Sequence, residues 1–358
     1  MLAPLRDYLC PKDPKSSPLL CTTKKSYFSR LSVDINPDEP SFEETKWIMS
    51  EDVNIEHLLN VFTSTDADLD GVWDTCAYFL GHLFWHKPRL VMLGPKLEGL
   101  PDNQPSKPEC LYQLSRLFRS VGNYVEYKRL LVHTLELWKG QGDKFQVAET
   151  LEQLAKANQQ LGLYTEGIQQ VEESLGIFKQ LNDTSGQADS LQQLARLLRL
   201  DNQLGAAEEA ASQSIHLLTD KDEQFRVCKG YDLLGDICYS KGETEKAINH
   251  YKIALGIASS SNWDDAQFWT LYSLAKAVFD QGRFGEAHAH IECAKSHAVN
   301  DPFNLGRAME QQAEFWYEEG KLEEAKSEAL CAADVFEKLG AVKRVEACRN
   351  ILQEIEVR

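Results

Sequence analysis

The hydrophobic pattern of the chain repeats with a nearly fixed period over residues 107–341. Large apolar residues, small residues and a turn residue return in the same order six times. The turn residue is a glycine or an asparagine, and the six positions lie 40 or 38 residues apart: Gly122, Gly162, Asn202, Gly242, Gly282 and Gly320. Glycine and asparagine adopt the left-handed conformation that ends a helix at little steric cost. The spacing therefore predicts six helical hairpins with these residues at their corners.

Further columns explain how such hairpins would pack. A small residue stands seven positions before each turn, as at Ala155 and Gly235, and a large apolar residue usually stands eight and eleven positions before it. An alanine usually stands five positions after the turn. Small residues let the two helices of a hairpin approach closely, and neighbouring hairpins must stack to bury their shared apolar faces. Gln312, Tyr127 and Gly167 depart from these columns, so we expect looser packing in the first, second and last repeats.

The flanks of the repeat are less regular. Residues 1–52 contain many of the prolines and are predicted to be mostly irregular, whereas residues 53–93 resemble a degenerate leading helix pair. Residues 94–108 contain four prolines and two glycines and are predicted to form a loop. Residues 342–358 are predicted to form an amphipathic helix that caps the last repeat.

Composition narrows the classes of partner. The 358 residues carry a net charge of −17, with a pI near 5.0, which argues against nucleic acid or an anionic membrane as the main partner. Nine cysteines without a C-x-x-C pair indicate reduced thiols. Neither a signal peptide nor an apolar stretch of membrane-spanning length is apparent in the sequence. We expect a cytoplasmic protein without cofactor or membrane contact, whose oligomeric state the sequence leaves open.

The repeat columns resemble the tetratricopeptide (TPR) signature, most clearly in YDLLGDICYSKGETEKAINHYKIAL and YSLAKAVFDQGRFGEAHAHIECA. The 40-residue period is similar to that of kinesin light chain. This resemblance implies an all-α fold, a right-handed superhelical α-solenoid of TPR helix hairpins. The flanking segments MLAPLRDYLCPKDPKSSPLLCTT, NIEHLLNVFTS and FWHKPRLVMLGPKLEGLPD resemble the C-terminal part of mushroom-type fungal signal-transduction ATPases, in which a NACHT or NB-ARC nucleotide switch precedes TPR repeats.

The resemblance implies a non-enzymatic protein–protein interaction scaffold, the sensor or autoinhibitory arm of a fungal STAND-type signalling ATPase. The sequence has no G-x-x-x-x-G-K-[ST] loop for a nucleotide phosphate, so the chain is either a fragment or a protein without the ATPase. One alternative is a cargo or assembly adaptor similar to kinesin light chain. Another is a module that senses a small molecule or oligosaccharide, with Trp269, Tyr272 and Phe279 as its first candidate residues.

Three patterns suggest metal binding but lack essential ligands. The acidic run from Asp66 to Gly71 opens like a calcium loop, but Ala77 stands where the bidentate glutamate belongs. His82 and His86 have helical spacing without a third ligand. A histidine trio on one helix, at positions 288, 290 and 297, does not share a face. We predict no metal site and no catalytic residue.

The TPR resemblance implies that the first helix of each hairpin lines a binding groove, through positions ten, six and three residues before the turn. These positions hold the candidate binding residues Arg116, Arg119, Lys156, Gln159, Arg196, Arg199, Tyr239, Tyr272, Lys276 and Phe279. Arginines three apart share a helix face and suit carboxylates, which arginine binds bidentately. Residues 107–142 carry six basic and three acidic residues, whereas residues 308–341 carry three and nine. We therefore hypothesise an acidic peptide or protein partner at the first three grooves, against the alternative of solvated helix faces.

Overall fold

The computed structural model describes residues 94–218, 223–299, 301–339 and 341–357, and this part of the chain contains helices and no strand. The predicted irregular segment 1–52 and the predicted helix pair 53–93, with Asp66 to Ala77 and both His82 and His86, lie outside the described residues. The helices are α1 (Gly94–Glu98), α2 (Lys107–Ser120), α3 (Tyr124–Gln141), α4 (Lys144–Gln160), α5 (Tyr164–Leu181), α6 (Thr184–Leu200), α7 (Leu204–Leu217), α8 (Gln224–Ser240), α9 (Thr244–Ser260), α10 (Asp264–Asp280), α11 (Phe284–His297), α12 (Pro302–Glu318), α13 (Leu322–Lys338) and α14 (Val342–Val357).

The hairpins turn at the six residues predicted to form their corners. Each of the six turn residues has a positive φ, from 61° at Asn202 to 79° at Gly320. At the first corner the Gly122 N–H donates to the carbonyl of Arg119 and the next N–H donates to the carbonyl of Phe118, which satisfies the carbonyls at the end of α2. Gly142, Asn182 and Asn262 also have positive φ and form turns between successive hairpins, which the repeat columns did not predict.

The predicted loop at 94–108 contains a helix. Gly94–Glu98 forms the single-turn helix α1, and Leu97 on it is 2% exposed. Glu98 also forms an ion pair with Arg129 on α3, at 2.7 Å between its Oε2 and the arginine Nη1. This contact with the neighbouring hairpin supports a helical turn that proline and glycine content alone argues against. The expectation of a purely irregular linker was therefore wrong at these five residues.

The chain divides into two compact units, residues 1–170 and residues 171–358, with the boundary inside α5. In the first unit, α2 and α3 form a hairpin and α4 packs against α3. The core there includes Tyr127, Leu131, Leu154 and Ala157. Tyr127, which stands at a small-residue position, is 1% exposed, and its hydroxyl donates to Gln153 at 2.9 Å. The looser packing expected at this position is not observed, because the ring fills core volume and its polar end is satisfied.

The second unit contains the hairpins α6–α7, α8–α9, α10–α11 and α12–α13, followed by α14. Neighbouring hairpins share one apolar core that includes Tyr251, Phe268 and Phe315. Gln312, at a core leucine position, is 4% exposed and its Oε1 finds no hydrogen-bond partner among the described residues. The helix α14 begins at Val342, within the predicted 342–358, and buries Val345 and Cys348 against α13.

Gly235 shows why a small residue is needed seven positions before the turn. A Cβ added there would lie 2.4 Å from Cε1 of Tyr251, on the second helix of the same hairpin. A methyl group would push the two helices apart or displace the tyrosine ring.

We expect Gly235→Ala to lower the free energy of unfolding by about 1–3 kcal/mol, because the steric cost exceeds the gain in helix propensity. The matched control is Gly256→Ala, in the middle of α9, where an added Cβ meets nothing within 4 Å. That substitution should raise stability by about 0.5–1 kcal/mol. Thermal unfolding followed by circular dichroism would compare the two. Equal effects of both substitutions would contradict the close approach at Gly235.

Candidate functional site

The candidate residues lie on one face of the first helices, α2 and α4 in the first unit and α6, α8, α10 and α12 in the second. We call the side chains ten, six and three residues before each turn the first-helix face. The side chains six residues before each turn are all half-buried. The side chains three residues before each turn are also half-buried, except Phe279. Positions seven and eight before are mostly core residues, as at Leu114 and Ser115. The first-helix face is therefore the partly solvated side of helices whose other side packs into the core.

In the first unit this face is basic. Arg116 donates to the amide oxygen of Gln113 at 2.9 Å, and Arg119 donates to that of Gln153 at 3.4 Å. Burial lowers the pKa of Arg116, and the nearby charge of Arg119 lowers it further. The two guanidinium groups are therefore electrostatic neighbours, as their spacing predicts.

The next helix, α4, continues this basic face. Lys156 forms an ion pair with Glu152, one turn earlier on the same helix, at 2.6 Å. Gln159 is half-buried three residues later. The first-helix face of the first unit thus consists of three cations, the carboxylate of Glu152, the amide of Gln159 and the phenol ring of Tyr112.

In the second unit the predicted arginines of α6 lie opposite two aspartates of α8. The Nη2 atom of Arg199 is 3.9 Å from Oδ2 of Asp236, and the Oδ1 atom of the same carboxylate accepts a hydrogen bond from the Tyr251 hydroxyl at 2.8 Å. Burial raises the pKa of Asp232 to about 7, and repulsion from Asp236 adds to the rise, whereas Thr270 and the charge of Arg196 oppose it. The Oδ1 atom of Asp232 is buried without a hydrogen-bond partner among the described residues.

The aromatic candidates separate into two groups. Tyr239 donates a hydrogen bond to Asp280, and Tyr272 donates one to Gln311 on α12 at 3.0 Å. Phe279 is 5% exposed and stacks on Phe315, with ring centroids 4.1 Å apart and planes 6° from parallel. The prediction that Phe279 lies on the binding face was wrong, because the ring of Phe315 in the next hairpin covers the Phe279 side chain.

Charges on the first-helix face of the second unit alternate in sign from one hairpin to the next. Arg196 and Arg199 on α6 are followed by two aspartates on α8, by Lys276 on α10, and by Glu310 and Glu314 on α12. Glu310 is in turn 3.1 Å from Arg344 on α14. Opposite charges on adjacent helices attract each other. Part of this face therefore stabilises the packing of neighbouring hairpins rather than binding a ligand.

Sequence reasoning named Trp269 as a candidate for ligand binding but missed Arg307, which stands at the same repeat position, thirteen residues before the turn. Trp269 on α10 is 37% exposed, and the guanidinium carbon of Arg307 on α12 lies 4.5 Å from the centroid of its ring. Extending the repeat columns back by one helical turn would have aligned these two residues at the same repeat position.

The histidine trio does not converge on a metal. His288 contacts Glu319 at 2.5 Å and stacks on Trp316, whereas His297 contacts Asp264 at 2.9 Å. Within the described ranges no group of three or more histidine, cysteine, aspartate or glutamate side chains has the arrangement of a metal site. No helix in the same part of the chain combines the length and apolar character needed to cross a bilayer.

The raised pKa of Asp232 implies that the stability of the folded protein depends on pH. Between the ordinary aspartate pKa and about 7 the folded protein binds more protons than the unfolded chain, so this group lowers stability as pH rises through that range. We expect Asp232→Asn to be more stable than the wild type at pH 8 by about 1–3 kcal/mol, and the difference to disappear towards pH 4.

Urea unfolding of the wild type and of Asp232→Asn at about pH 4.5, 6 and 8 would test this expectation. Asp334→Asn is the control, since Asp334 is exposed and pairs with Lys338 within one helix. A stability difference that stays constant over this pH range would show that Asp232 titrates normally.

Comparison with known proteins establishes the fold. No family model and no curated protein matches the sequence. Among solved structures, a Rap protein complexed with Competence and Sporulation Factor is 14% identical, with a TM-score of 0.58, over 94% of this chain and 97% of that one. A STAND protein with a tetratricopeptide repeat sensor from Pyrococcus horikoshii is 14% identical, with a TM-score of 0.55, over 93% of this chain.

The chain spans about half of that STAND protein, 52% of its length. The apo form of the quorum sensor NprR from B. thuringiensis is 14% identical, with a TM-score of 0.53, over 87% of this chain and 96% of that one. At such identities the similarity concerns the fold alone. The repeat pattern, the left-handed corners and these structures together confirm the fold: the described part of the chain is all-α and built of TPR-type helix hairpins.

Proposed function

We propose that this chain is a protein-interaction module that docks a segment of a partner protein on its first-helix face. The observation that supports this most directly is the row of half-buried polar and charged side chains on helices whose opposite side is core. Such a row offers hydrogen bonds and charges at regular intervals on a rigid support. Similar folds occur in a Rap protein complexed with Competence and Sporulation Factor and in the quorum sensor NprR.

The first unit favours a partner with acidic side chains. Arg116 and Arg119 each donate to a neutral glutamine amide, and Lys156 lies on the next first helix. A guanidinium group binds a carboxylate through two parallel charge-assisted hydrogen bonds, which are together stronger than a hydrogen bond to an amide. The alternating charges of the second unit make Arg196 and Arg199 weaker candidates, because Asp232 and Asp236 already face them.

The finer assignment is the sensor or autoinhibitory arm of a STAND-type signalling ATPase. Two observations support it: the flanking segments resemble those of the fungal members, and the fold is similar to a STAND protein with a TPR sensor. The nucleotide switch would then belong to a preceding domain or to a separate chain. An in-frame P-loop upstream of Met1 in the gene would support the arm assignment, whereas its absence would favour an adaptor like kinesin light chain.

The first-helix face can be tested by charge reversal. We expect Arg116→Glu, Arg119→Glu and Lys156→Glu together to weaken capture of the native partner at least about tenfold, because three favourable charge contacts become repulsive. The control reverses three exposed lysines off this face, Lys139, Lys144 and Lys179, with the same change in net charge. The measurement is affinity capture from the native cytosol with quantitative mass spectrometry, followed by titration of the purified partner.

Both triple variants should keep the helical circular dichroism spectrum of the wild type. Loss of capture by the face variant alone would support docking on this face. Equal capture by both variants would remove the acidic-partner proposal and favour either another surface or a small-molecule ligand, for which a thermal-shift screen is the direct assay.

A further inference from the structure

The stacked hairpins of the second unit have two edges. One edge carries the corners within the hairpins, and at the other the second helix of each hairpin ends and the first helix of the next begins. Contacts across this second edge show that the helix ends meet there. Phe303, at the start of α12, has its ring centroid 5.7 Å from that of Phe336 near the end of α13. The Nδ1 atom of His297, at the end of α11, is 2.9 Å from Oδ1 of Asp264 at the start of α10. We call this second edge the inter-hairpin edge.

Large apolar side chains are exposed along the inter-hairpin edge. They come from four of its five turns: Leu181, Phe225, Val299, Phe303, Leu339 and Val342. Val299 and Val342 are the most open, at 69% and 66% exposure. In the remaining turn the half-buried Trp263 meets the Phe225 ring edge-on, with centroids 5.1 Å apart. Single exposed apolar residues are ordinary on a protein surface, whereas a row of them along one edge marks an interaction surface.

The packing of the hairpins does not require these apolar residues. Phe225 and Phe303 stand at the same repeat position, seventeen residues before the corner of their hairpin. The two other hairpins of the second unit have Ser185 and Asp265 at this position, and their helices α6 and α10 form in the same way. A polar side chain is therefore compatible with the fold at this position. The exposed parts of the two rings are available for another role.

The charged groups beside these apolar side chains are mostly paired within the chain. The Nε atom of Arg226 is 2.9 Å from Oδ2 of Asp189, and the Nζ atom of Lys338 is 2.5 Å from Oδ2 of Asp334. Asp301 caps α12 and accepts a hydrogen bond from the Phe303 N–H at 3.0 Å. These internal pairs leave little charge on the inter-hairpin edge to attract or repel another molecule.

The corner edge of the same unit has a different character. Around the corner at Gly320, residues 318–324 include four acidic residues and one basic residue. The whole chain has a net charge of −17, so two copies repel each other in most orientations. A second copy can approach most easily where charges are paired internally and apolar groups are exposed. In the second unit the inter-hairpin edge has both properties.

We propose that the inter-hairpin edge of the second unit is a self-association surface, on which a second copy of this chain docks with the same edge. Contact between identical surfaces has two-fold symmetry and closes as a dimer. The exposed rings and aliphatic side chains of the two copies then remove apolar area from water, which favours association. This surface contains none of the candidate binding residues of the first-helix face, so it does not depend on the proposed function.

Sedimentation velocity of the full chain measures this association directly. Between about 1 and 200 μM we expect a reversible equilibrium between monomer and dimer, with a Kd of about 10 μM or tighter. The dimer has twice the 40.6 kDa mass of one chain. Added salt should leave the dimer unchanged or stabilise it, because salt screens the repulsion between two acidic chains and does not weaken apolar contacts.

An edge variant combines Val299→Ser, Phe303→Ser and Leu339→Gln. Serine is chosen at the first two sites because the chain itself has Ser261 and Ser185 at the equivalent repeat positions. We expect the edge variant to weaken the dimer at least about tenfold, because it removes three exposed apolar side chains from the interface.

The matched control is a triple variant on the middle of three second helices, Val132→Thr, Ile253→Gln and Leu330→Gln. These side chains are also apolar and exposed but lie away from the inter-hairpin edge. The control should dimerise as the wild type does. Melting curves of all variants distinguish a lost interface from a lost fold. If the edge variant is unfolded, Val299→Ser alone should still weaken the dimer about threefold, because Val299 is largely exposed.

Each of several results would overturn the proposal. These are a wild type that remains monomeric at about 200 μM, a folded edge variant that dimerises normally, a control that loses the dimer equally, and a dimer that salt dissociates. Oligomers that grow beyond the dimer would replace the symmetric contact with a head-to-tail one. A monomeric wild type whose captured partner is lost only in the edge variant would assign this edge to a partner protein instead. Loss of the dimer with unchanged effects of charge reversal in the first unit would separate this surface from the proposed function.

Discussion

No single hairpin of this chain can bury its own apolar face, and this constraint governs both its packing and its surface. The helices of a pair come close enough for Gly235 to touch the Tyr251 ring, and the next pair then covers what remains exposed, as Phe315 covers Phe279. Because every first helix contacts neighbours along the repeat within its unit, few of its positions are left to solvent. The first-helix face consists of those positions.

The same constraint explains why the charges on this face serve two purposes in the second unit. The adjacent first helices α6 and α8 are close enough for Arg199 to lie near Asp236, and the C-terminal helix α14 brings Arg344 to Glu310. Alternating signs convert this proximity into attraction between hairpins. In the first unit the like charges of Arg116 and Arg119 on α2 repel each other, and a ligand of opposite charge can relieve that repulsion. The pattern of signs is therefore the physical basis for favouring the first unit as an acidic-partner surface.

Arg307 illustrates a third way of accommodating a charge on this face. Stacking on Trp269 and Tyr272 stabilises the guanidinium by cation–π interaction. A carboxylate inside the protein would have fixed the same side chain and also neutralised it, as at Arg344. The chemistry around Tyr272 thus differs from the internal ion pairs elsewhere in the second unit.

The sequence by itself determined the positions of the hairpins. The six corners, the small column that includes Gly235 and the helical hairpins all follow from local features, because a glycine or asparagine end and a helical period act within a few residues. It also placed the arginine pairs on one helix face. Only the tertiary structure decided that Phe279 is buried, that Arg199 faces Asp236, and that Gly94–Glu98 is helical. Those outcomes depend on side chains about 30 to 40 positions away in the sequence, whose approach no local period encodes.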